Sequence, residues 1–443
     1  MLRRDMLTRP LAATRFDPER LFRPRSLAII GGEGRIAAQV RQNIEAAGFA
    51  GDVQVVAPGD PLRPADLAVL TVPEGDLAPV YRSLAAAGIF AGVALGMAHG
   101  LAEAQAETGV RVLGPGSFGV ACPAIKLNAT LAHLEPRAGR VALISQSAAL
   151  CRAVLDWAGP NGVGFSEIVG VGGNAGTGFV GVLDYLSRDS STGPILLDIR
   201  RIRDARAFLS AARAAARLRP VVALRAGNRL LDPTGRAERV FEAALNRAGV
   251  LTVSRFEDML AALETLTRSP VPRTEGLAIV TNAIGPGRMA ADAALGCGVG
   301  LAPLAPETRE VLRLAIPGTD QGRVVYTGVE QPTRLADAAS LLAGAKEVGG
   351  ILAVLAPTGP ADAAGVEALL AVPRGRVPLL VCAMGETTGA AHRHRLAEAG
   401  IPVFATPEQA VGGFLHLLRQ RRARAAGAEL PASEVLELRP DRA

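Results

Sequence analysis

Leu27-Ala-Ile-Ile-Gly-Gly-Glu-Gly-Arg35 decides the fold. Four apolar residues in a row read as a short strand buried on both faces, and the glycines after it make a turn tight enough to start a helix at once. From about Ile36 to Ala47 apolar side chains recur at helical spacing. Val53-Gln-Val-Val56 and Leu67-Ala-Val-Leu70 are then the next two strands, so the segment opens a sheet of dinucleotide-binding type. Val93-Ala-Leu95 and Val110-Arg-Val-Leu113 continue that sheet, and Gly114-Pro115-Gly116 breaks it.

The plan recurs twice. Val141-Ala-Leu-Ile144, the turn Ser145-Gln146-Ser147 and a helix from Ala148 to about Trp157 open a second unit. It continues through strands Ile195–Ile199 and Val221–Leu224, with a helix from Ala205 to Leu218 between them. Leu277-Ala-Ile-Val280, a glycine-containing turn from Thr281 to Gly287 and a predicted helix from Arg288 to Leu295 open the third, which ends with strands Ile351–Leu355 and Leu379–Cys382. Alternating strands and helices predict parallel sheets and an α/β class. The second and third units read as two copies of one architecture.

At 443 residues, 49% of them hydrophobic, the chain can fill about three domains of ordinary size. Aromatic residues are only 4%, so the cores must come from Ala, Val, Leu and Ile. The net charge of +6 is almost all Arg, with Lys126 and Lys346 the only lysines. Apart from Arg419, Arg421, Arg422 and Arg424 the cations are dispersed, without interleaved stacking aromatics, which argues against nucleic acid and suits a small anionic ligand. Cys122, Cys151, Cys297 and Cys382 form no CxxC pair, so neither a disulfide framework nor a metal site is expected, and a reducing cytoplasm fits. No apolar run approaches the ~20 residues of a membrane span.

The landmarks resemble a known family. Phe16-Asp-Pro-Glu-Arg-Leu-Phe22 leading into Ser26–Gly31, then Gly114-Pro-Gly-Ser-Phe-Gly119, Leu127-Asn-Ala-Thr130, Ile144-Ser-Gln-Ser147, Leu183-Asp-Tyr-Leu186, Asp204-Ala-Arg206, Arg247-Ala-Gly-Val250, Thr281-Asn282 and Gly285-Pro-Gly287 follow in order. Together they resemble the NDP-forming (ADP-forming) acyl-CoA synthetases, relatives of succinyl-CoA synthetase. The resemblance implies a Rossmann-like CoA-binding domain over 16–137 and two flavodoxin-like domains over 138–270 and 271–425, flanked by an extension (1–15) and a polar tail (426–443). It implies coenzyme A or acyl-CoA at Gly31, Gly32, Gly34, Arg35, Pro73, Gly114, Pro115, Ser117 and Asn128, and an anion at Ser145, Gln146, Ser147, Asn282, Gly285 and Gly287. It further implies an oligomer working with a separate ATP-grasp subunit. In such enzymes a phosphohistidine carries the phosphoryl group between an acyl phosphate and the nucleotide.

Five departures fall on that phosphate station. The family's Ser-His-Thr-Gly segment is Asp232-Pro233-Thr234-Gly235, and proline has no side-chain nitrogen to phosphorylate. Arg200 stands where a glutamate orients the histidine, and Ala148 follows Ser-Gln-Ser in place of glycine. Ala283 and Ile284 replace two glycines, and Arg323-Val-Val-Tyr326 replaces an Asn-Pro-Val-Asp motif. His392 and His394 read as a solvated helix face, His133 as a loop residue near the ligand cleft, and His99 and His416 have no partner pattern. Arg200, Arg288 and Arg323 read as surface charges rather than a replacement anion pocket, Ser145 and Ser147 as caps rather than nucleophiles, and Cys151 as packing.

Three functional expectations follow. The first is a CoA-binding family member without a phosphohistidine relay. The second is an active synthetase subunit or an enzyme of the acyl phosphate/CoA half-reaction, which needs no histidine. The third is an NAD(P)-dependent oxidoreductase, for which Asp60 is the only acidic ribose partner after the second strand and which leaves two units without a task.

Overall fold

The computed structural model describes residues 17–72, 74–99, 101–174, 176–225, 232–317, 320–359 and 362–428. The N-terminal extension and most of the polar tail lie outside them. Residues 17–113 hold β1 (Ser26–Ile30), β2 (Asp52–Val56), β3 (Leu67–Leu70), β4 (Glu74–Asp76), β5 (Ala91–Ala94), β6 (Met97–His99) and β7 (Arg111–Leu113). The next stretch holds β8 (Gly119–Cys122), β9 (Leu127–Thr130), β10 (Ala138–Ser145), β11 (Phe165–Gly170), β12 (Ile195–Asp198), β13 (Val221–Leu224) and β14 (Leu251–Val253). The last holds β15 (Leu277–Thr281), β16 (Asp320–Gln321), β17 (Val324–Tyr326), β18 (Gly350–Leu355), β19 (Leu379–Ala383) and β20 (Val403–Phe404).

Among the described residues β4 and β6 pair in a small two-stranded sheet, and three larger sheets are ordered β2-β1-β3-β5-β7, β14-β13-β12-β10-β11-β8-β9 and β16-β17-β15-β18-β19-β20. Stripped of their antiparallel edge strands, all three have the same doubly wound order, second-first-third-fourth-fifth. In each, the chain reverses direction across the sheet beside its first strand, where open α/β sheets place ligands beyond the carboxyl ends. The central strands β3, β12, β13 and β18 are buried throughout, as sheets covered by helices on both faces require.

Two boundaries differ from the sequence expectation. β8 and β9, assigned to the first domain, form an antiparallel hairpin on β11 of the second sheet. The helix predicted from Arg288 begins at Ile284 instead. Gly285 and Pro286 fit its first turn because N–H groups there have no intrahelical acceptor, so proline forfeits nothing, and Gly287 N–H makes the first intrahelical bond, to the Ala283 carbonyl at 3.2 Å.

The first two units are bound tightly. Phe22 stacks on Tyr185 with centroids 4.1 Å apart. The Arg23 guanidinium pairs with the fully buried Glu167 on β11 and donates to Cys122 Sγ at 2.9 Å. Asn43, on the helix Arg35–Ala47, donates to the carbonyls of Thr130 and Ala132 at 2.9 and 3.0 Å. Among the described residues no helix is long and apolar enough to cross a membrane.

Candidate functional site

At the carboxyl end of β1, Gly31 and Gly32 donate to the Val56 carbonyl at 3.1 and 3.3 Å. Gly31 has φ +152°, and a Cβ there would fall on Thr71 Oγ1, so only glycine lets the turns after β1 and β3 close together. Thr71 fastens the second turn by donating N–H and Oγ1 to the Ile30 carbonyl at 2.8 and 3.0 Å. Gly34 starts the helix Arg35–Ala47 with no side-chain cap, which leaves its amino end open to an anionic group. Arg35 is exposed on that first turn. Pro73 lies outside the described residues.

The turn after β7 faces the second sheet. Gly114–Pro115 is a cis peptide. Gly116 and Ser117 donate to the carbonyls of Gly96 and Ala94 at 2.8 and 2.9 Å. Ser117, 1% exposed, gives its hydroxyl to the Gly170 carbonyl at 2.5 Å and accepts from Gly119 N at 2.9 Å, so it ties sheet to sheet. Asn128 stands apart. It is buried on β9, accepts from Thr130 Oγ1 at 2.6 Å, and lines a separate cleft of ≈ 480 Å³ with Lys126 and Arg137.

Across the joint lies a segment that sequence reasoning passed over, Val171 to Asn174. Gly172 has φ +47°, and a Cβ would strike the Pro115 carbonyl. Gly173 N donates to that carbonyl at 2.7 Å. Gln146 Nε2 donates to the Gly172 carbonyl at 3.1 Å, while its Oε1 accepts N–H from Arg200 and Arg201 at 2.8 and 2.9 Å. Hydrogen bonds therefore run unbroken from Pro115 through Gly172–Gly173 to Gln146 and the turn after β12. The signal was readable: Gly172, Gly173, Gly176 and Gly178 crowd behind an apolar stretch.

Ser145 Oγ donates to Asp198 Oδ2 at 2.7 Å and accepts from Ser147 N at 2.8 Å. Burial pushes the Asp198 carboxyl above its ordinary range, against the pull of the Ser145 hydroxyl. Ser147 caps the helix Ala148–Ala158 through Leu150 N at 3.2 Å. In the third unit Asn282 is buried, donating Nδ2 to the Ala356 carbonyl and accepting Ala356 N, both at 2.9 Å. Gly285 is exposed on the first turn of the helix Ile284–Gly296, and Gly287 is packed beneath it against Thr281 and Val324. Among the described residues no hydrogen bond joins the two helix openings. The fastening between second and third units is at the other end, where Arg268 holds Glu264 and the carbonyls of Asn161 and Ile401.

Pro233 is exposed in a turn ahead of the helix Arg236–Arg247. Asp232 organises that turn: Oδ1 accepts from Thr234 N at 3.1 Å and from its hydroxyl, and Oδ2 accepts from Ala237 N at 2.9 Å. These bonds, the Thr234 hydroxyl first, hold the Asp232 carboxyl below its ordinary range. A carboxylate thus already occupies the helix amino end. Arg200, Arg288 and Arg323 are exposed. His133 lies 3.8 Å from Asp156, His394 contacts the Pro160 carbonyl at 3.3 Å, and His416 is buried. Asp60, the ribose candidate, turns back to accept Ala57 N at 3.3 Å.

Three doubly wound sheets, with glycine-lined turns facing across the first joint, define a multi-unit α/β protein of open parallel sheets. Residues 138–266 match the family described as succinyl-CoA ligase like flavodoxin domain. The chain is 31% identical over 434 residues to the ADP-forming acetate–CoA ligase I of Archaeoglobus fulgidus, covering 89% of this chain and 62% of that protein. It is 26% identical over 440 residues to the alpha subunit of ADP-forming acetate–CoA ligase I of Pyrococcus furiosus, covering 89% and 95%. The apo form of dinucleotide forming acetyl-coenzyme A synthetase 1 from Ca. Korarchaeum cryptofilum has the same fold, with a TM-score of 0.84 at 23% identity over 93% of this chain and 99% of that one. The chain spans 62% and 47% of the acetate–CoA ligases of Archaeoglobus fulgidus (I) and Methanocaldococcus jannaschii. It is a homologue of the ADP-forming acetate–CoA ligases and carries a succinyl-CoA ligase like flavodoxin domain.

Proposed function

We propose that this chain is a CoA- or acyl-CoA-binding family member that carries no phosphoryl group on histidine and works in an oligomer with a separate ATP-grasp subunit in the cytoplasm. One observation carries the reading. Where the resemblance puts the phosphate carrier, Asp232-Pro233-Thr234-Gly235 is a turn capped by its own carboxylate. It offers neither an imidazole to phosphorylate nor an empty anion seat. CoA's phosphates meet the open helix end at Gly34–Arg35, beside Gly31 and Gly32, and its thiol end runs toward Gly114–Pro115. That the alpha subunit in Pyrococcus furiosus aligns over 95% of its length supports a divided enzyme.

A second reading is favoured by the hydrogen-bonded path from Pro115 to Gln146 and Arg200. A thiolate beside Pro115 could attack the acyl carbon of an acyl phosphate held near Gln146, the carbon–oxygen bond breaking and inorganic phosphate leaving. No histidine enters that step. Thermal-shift titration with CoA, acetyl-CoA and NAD tests the binding claim: CoA and acetyl-CoA should raise Tm, and stabilisation by NAD alone would overturn it. Release of phosphate from acetyl phosphate on adding CoA would establish the half-reaction.

A further inference from the structure

The cleft of ≈ 480 Å³ that holds Asn128 opens beside the turn between β8 and β9. Ala47, the last residue of the helix Arg35–Ala47, walls it from the first unit, and Lys126, Asn128, Glu135 and Arg137 bring its polar groups from beyond the joint. None of the residues around Gly31, Pro115, Ser147 or Asn282 lines it. The open helix end at Gly34–Arg35 is the length of that 13-residue helix away, about 20 Å.

Three donors in this wall have no acceptor. Asn128 is 4% exposed, and Thr130 sets its orientation. The Thr130 hydroxyl accepts from Ala132 N at 3.0 Å and gives its proton to Asn128 Oδ1 at 2.6 Å, which turns the amide Nδ2 away. Nδ2 meets no acceptor among the described residues and is not sealed from solvent, so an unused donor of a buried side chain faces the cleft. Amides buried to this degree are normally paired. Lys126 closes its turn at φ +59°, and a Cβ on Gly48 would lie 4.0 Å from its Nζ, which places the ammonium at the carboxyl end of the helix. The carbonyls of Ile44 and Glu45 there are already taken by the N–H groups of Gly48 and Phe49. Among the described residues neither Lys126 nor Arg137 forms an ion pair.

The only carboxylate in the lining is Glu135, so its charge is net positive. Pro123, Leu127 and Pro136 add apolar surface. A donor-rich cationic wall beside an apolar one suits an anionic group on an organic body. Two cations and an amide N–H match the three terminal oxygens of a phosphate ester, one more than a carboxylate offers. The chain has only two lysines, and one of them, a compact point charge suited to phosphate, stands here.

We infer that this cleft binds an organic phosphate monoester, its terminal oxygens facing Lys126, Arg137 and Asn128 Nδ2 and its body against Pro123, Leu127 and Pro136. The site is separate from the turns at the carboxyl ends of the sheets and does not rest on CoA binding there.

The test is calorimetric titration of the full chain with phenyl phosphate, with CoA present throughout. Phenyl phosphate should bind saturably, benzyl alcohol should not, and inorganic phosphate, which lacks the body, should bind more weakly. Lys126→Gln and Arg137→Gln, both at exposed positions, should each weaken phenyl phosphate by about tenfold or more, the worth of a charge-assisted hydrogen bond. Glu135→Gln removes the opposing charge and should tighten it. Arg35→Gln, at the open helix end, should leave it unchanged, and a loss there with none in Lys126→Gln would place the phosphate at the first unit's glycine turn and overturn the assignment. No saturable binding in the unaltered chain, undiminished binding in both Lys126→Gln and Arg137→Gln, or equal binding of inorganic phosphate would overturn it as well.

Discussion

At the end of its first strand the second unit sets Ser145 and Gln146, and the third sets Thr281 and Asn282 in the same two places. Each hydroxyl accepts the N–H two residues on, at 2.8 Å from Ser147 and 3.1 Å from Ala283. Each amide then fastens the turn after the neighbouring strand, at Arg200–Arg201 and at Ala356. What differs sits around that device. Ser145 is in register with Asp198, a buried carboxylate, whereas Thr281 is in register with Val354. The second unit caps its helix with Ser147, and the third has Ala283 there with no side-chain cap. The repeat preserves scaffolding, while the groups able to meet a charged ligand differ from unit to unit.

The largest expected effect tests whether the two copies act as one body. Arg268→Ala strands the buried Glu264 and frees the carbonyls of Asn161 and Ile401. It should cost about 3–5 kcal/mol in urea unfolding, as breaking a buried pair does. A loss below about 1 kcal/mol would mean that the units are not coupled there. The same joint should respond to pH in two directions. Burial pushes the His416 imidazole down to about 3, so the unfolded chain binds more protons and stability is lost as pH falls below about 6.5. Burial pushes the Glu264 carboxyl up to about 7, so its contribution is full at low pH and lost as pH rises from about 4.5 through 7. Tm measured from acid to neutral pH should flatten on the low side in His416→Leu and on the high side in Glu264→Gln.

Removing the shared device should discriminate the copies. Asn282→Ala removes a buried amide and leaves both backbone groups of the half-buried Ala356 unpaired, and should cost about 1–3 kcal/mol. Gln146→Ala frees N–H groups of Arg200 and Arg201, which are exposed and can turn to water, so the loss should be smaller, about 0.5–1 kcal/mol. Equal losses would deny the contrast in burial. The smallest effect is at the caps. Ser147→Ala should cost about 1 kcal/mol, and Ala283→Ser, at an extended N-cap backbone, should return roughly 0.5–1 kcal/mol.

Much of this architecture was legible because its central strands are unbroken apolar runs, as at Leu67–Leu70 and Val221–Leu224. What escaped depended on distant partners. Phe165–Gly170 contains Ser166 and Glu167 and reads as half polar, yet Glu167 is buried because Arg23, from another unit, meets it. The hairpin of β8 and β9 pairs away from the preceding strands, which no local pattern reveals. Gly285-Pro286-Gly287 reads as a turn because breakers in a first helical turn look the same as breakers in a loop. At the candidate site the glycines were legible, but the employment of Ser117 and Gln146 as ties between turns was not, since it depends on Gly170 and Gly172 from across the sheet.

The decisive measurement is phosphoryl labelling of the intact chain, supplied with acetyl-CoA and labelled phosphate or with labelled ATP and an ATP-grasp subunit, then divided between acid and base before counting. If Pro233 stands at the carrier position, as proposed, the protein should take up no acid-labile, base-stable label under either regime. Such a label on any of its imidazoles would contradict the account.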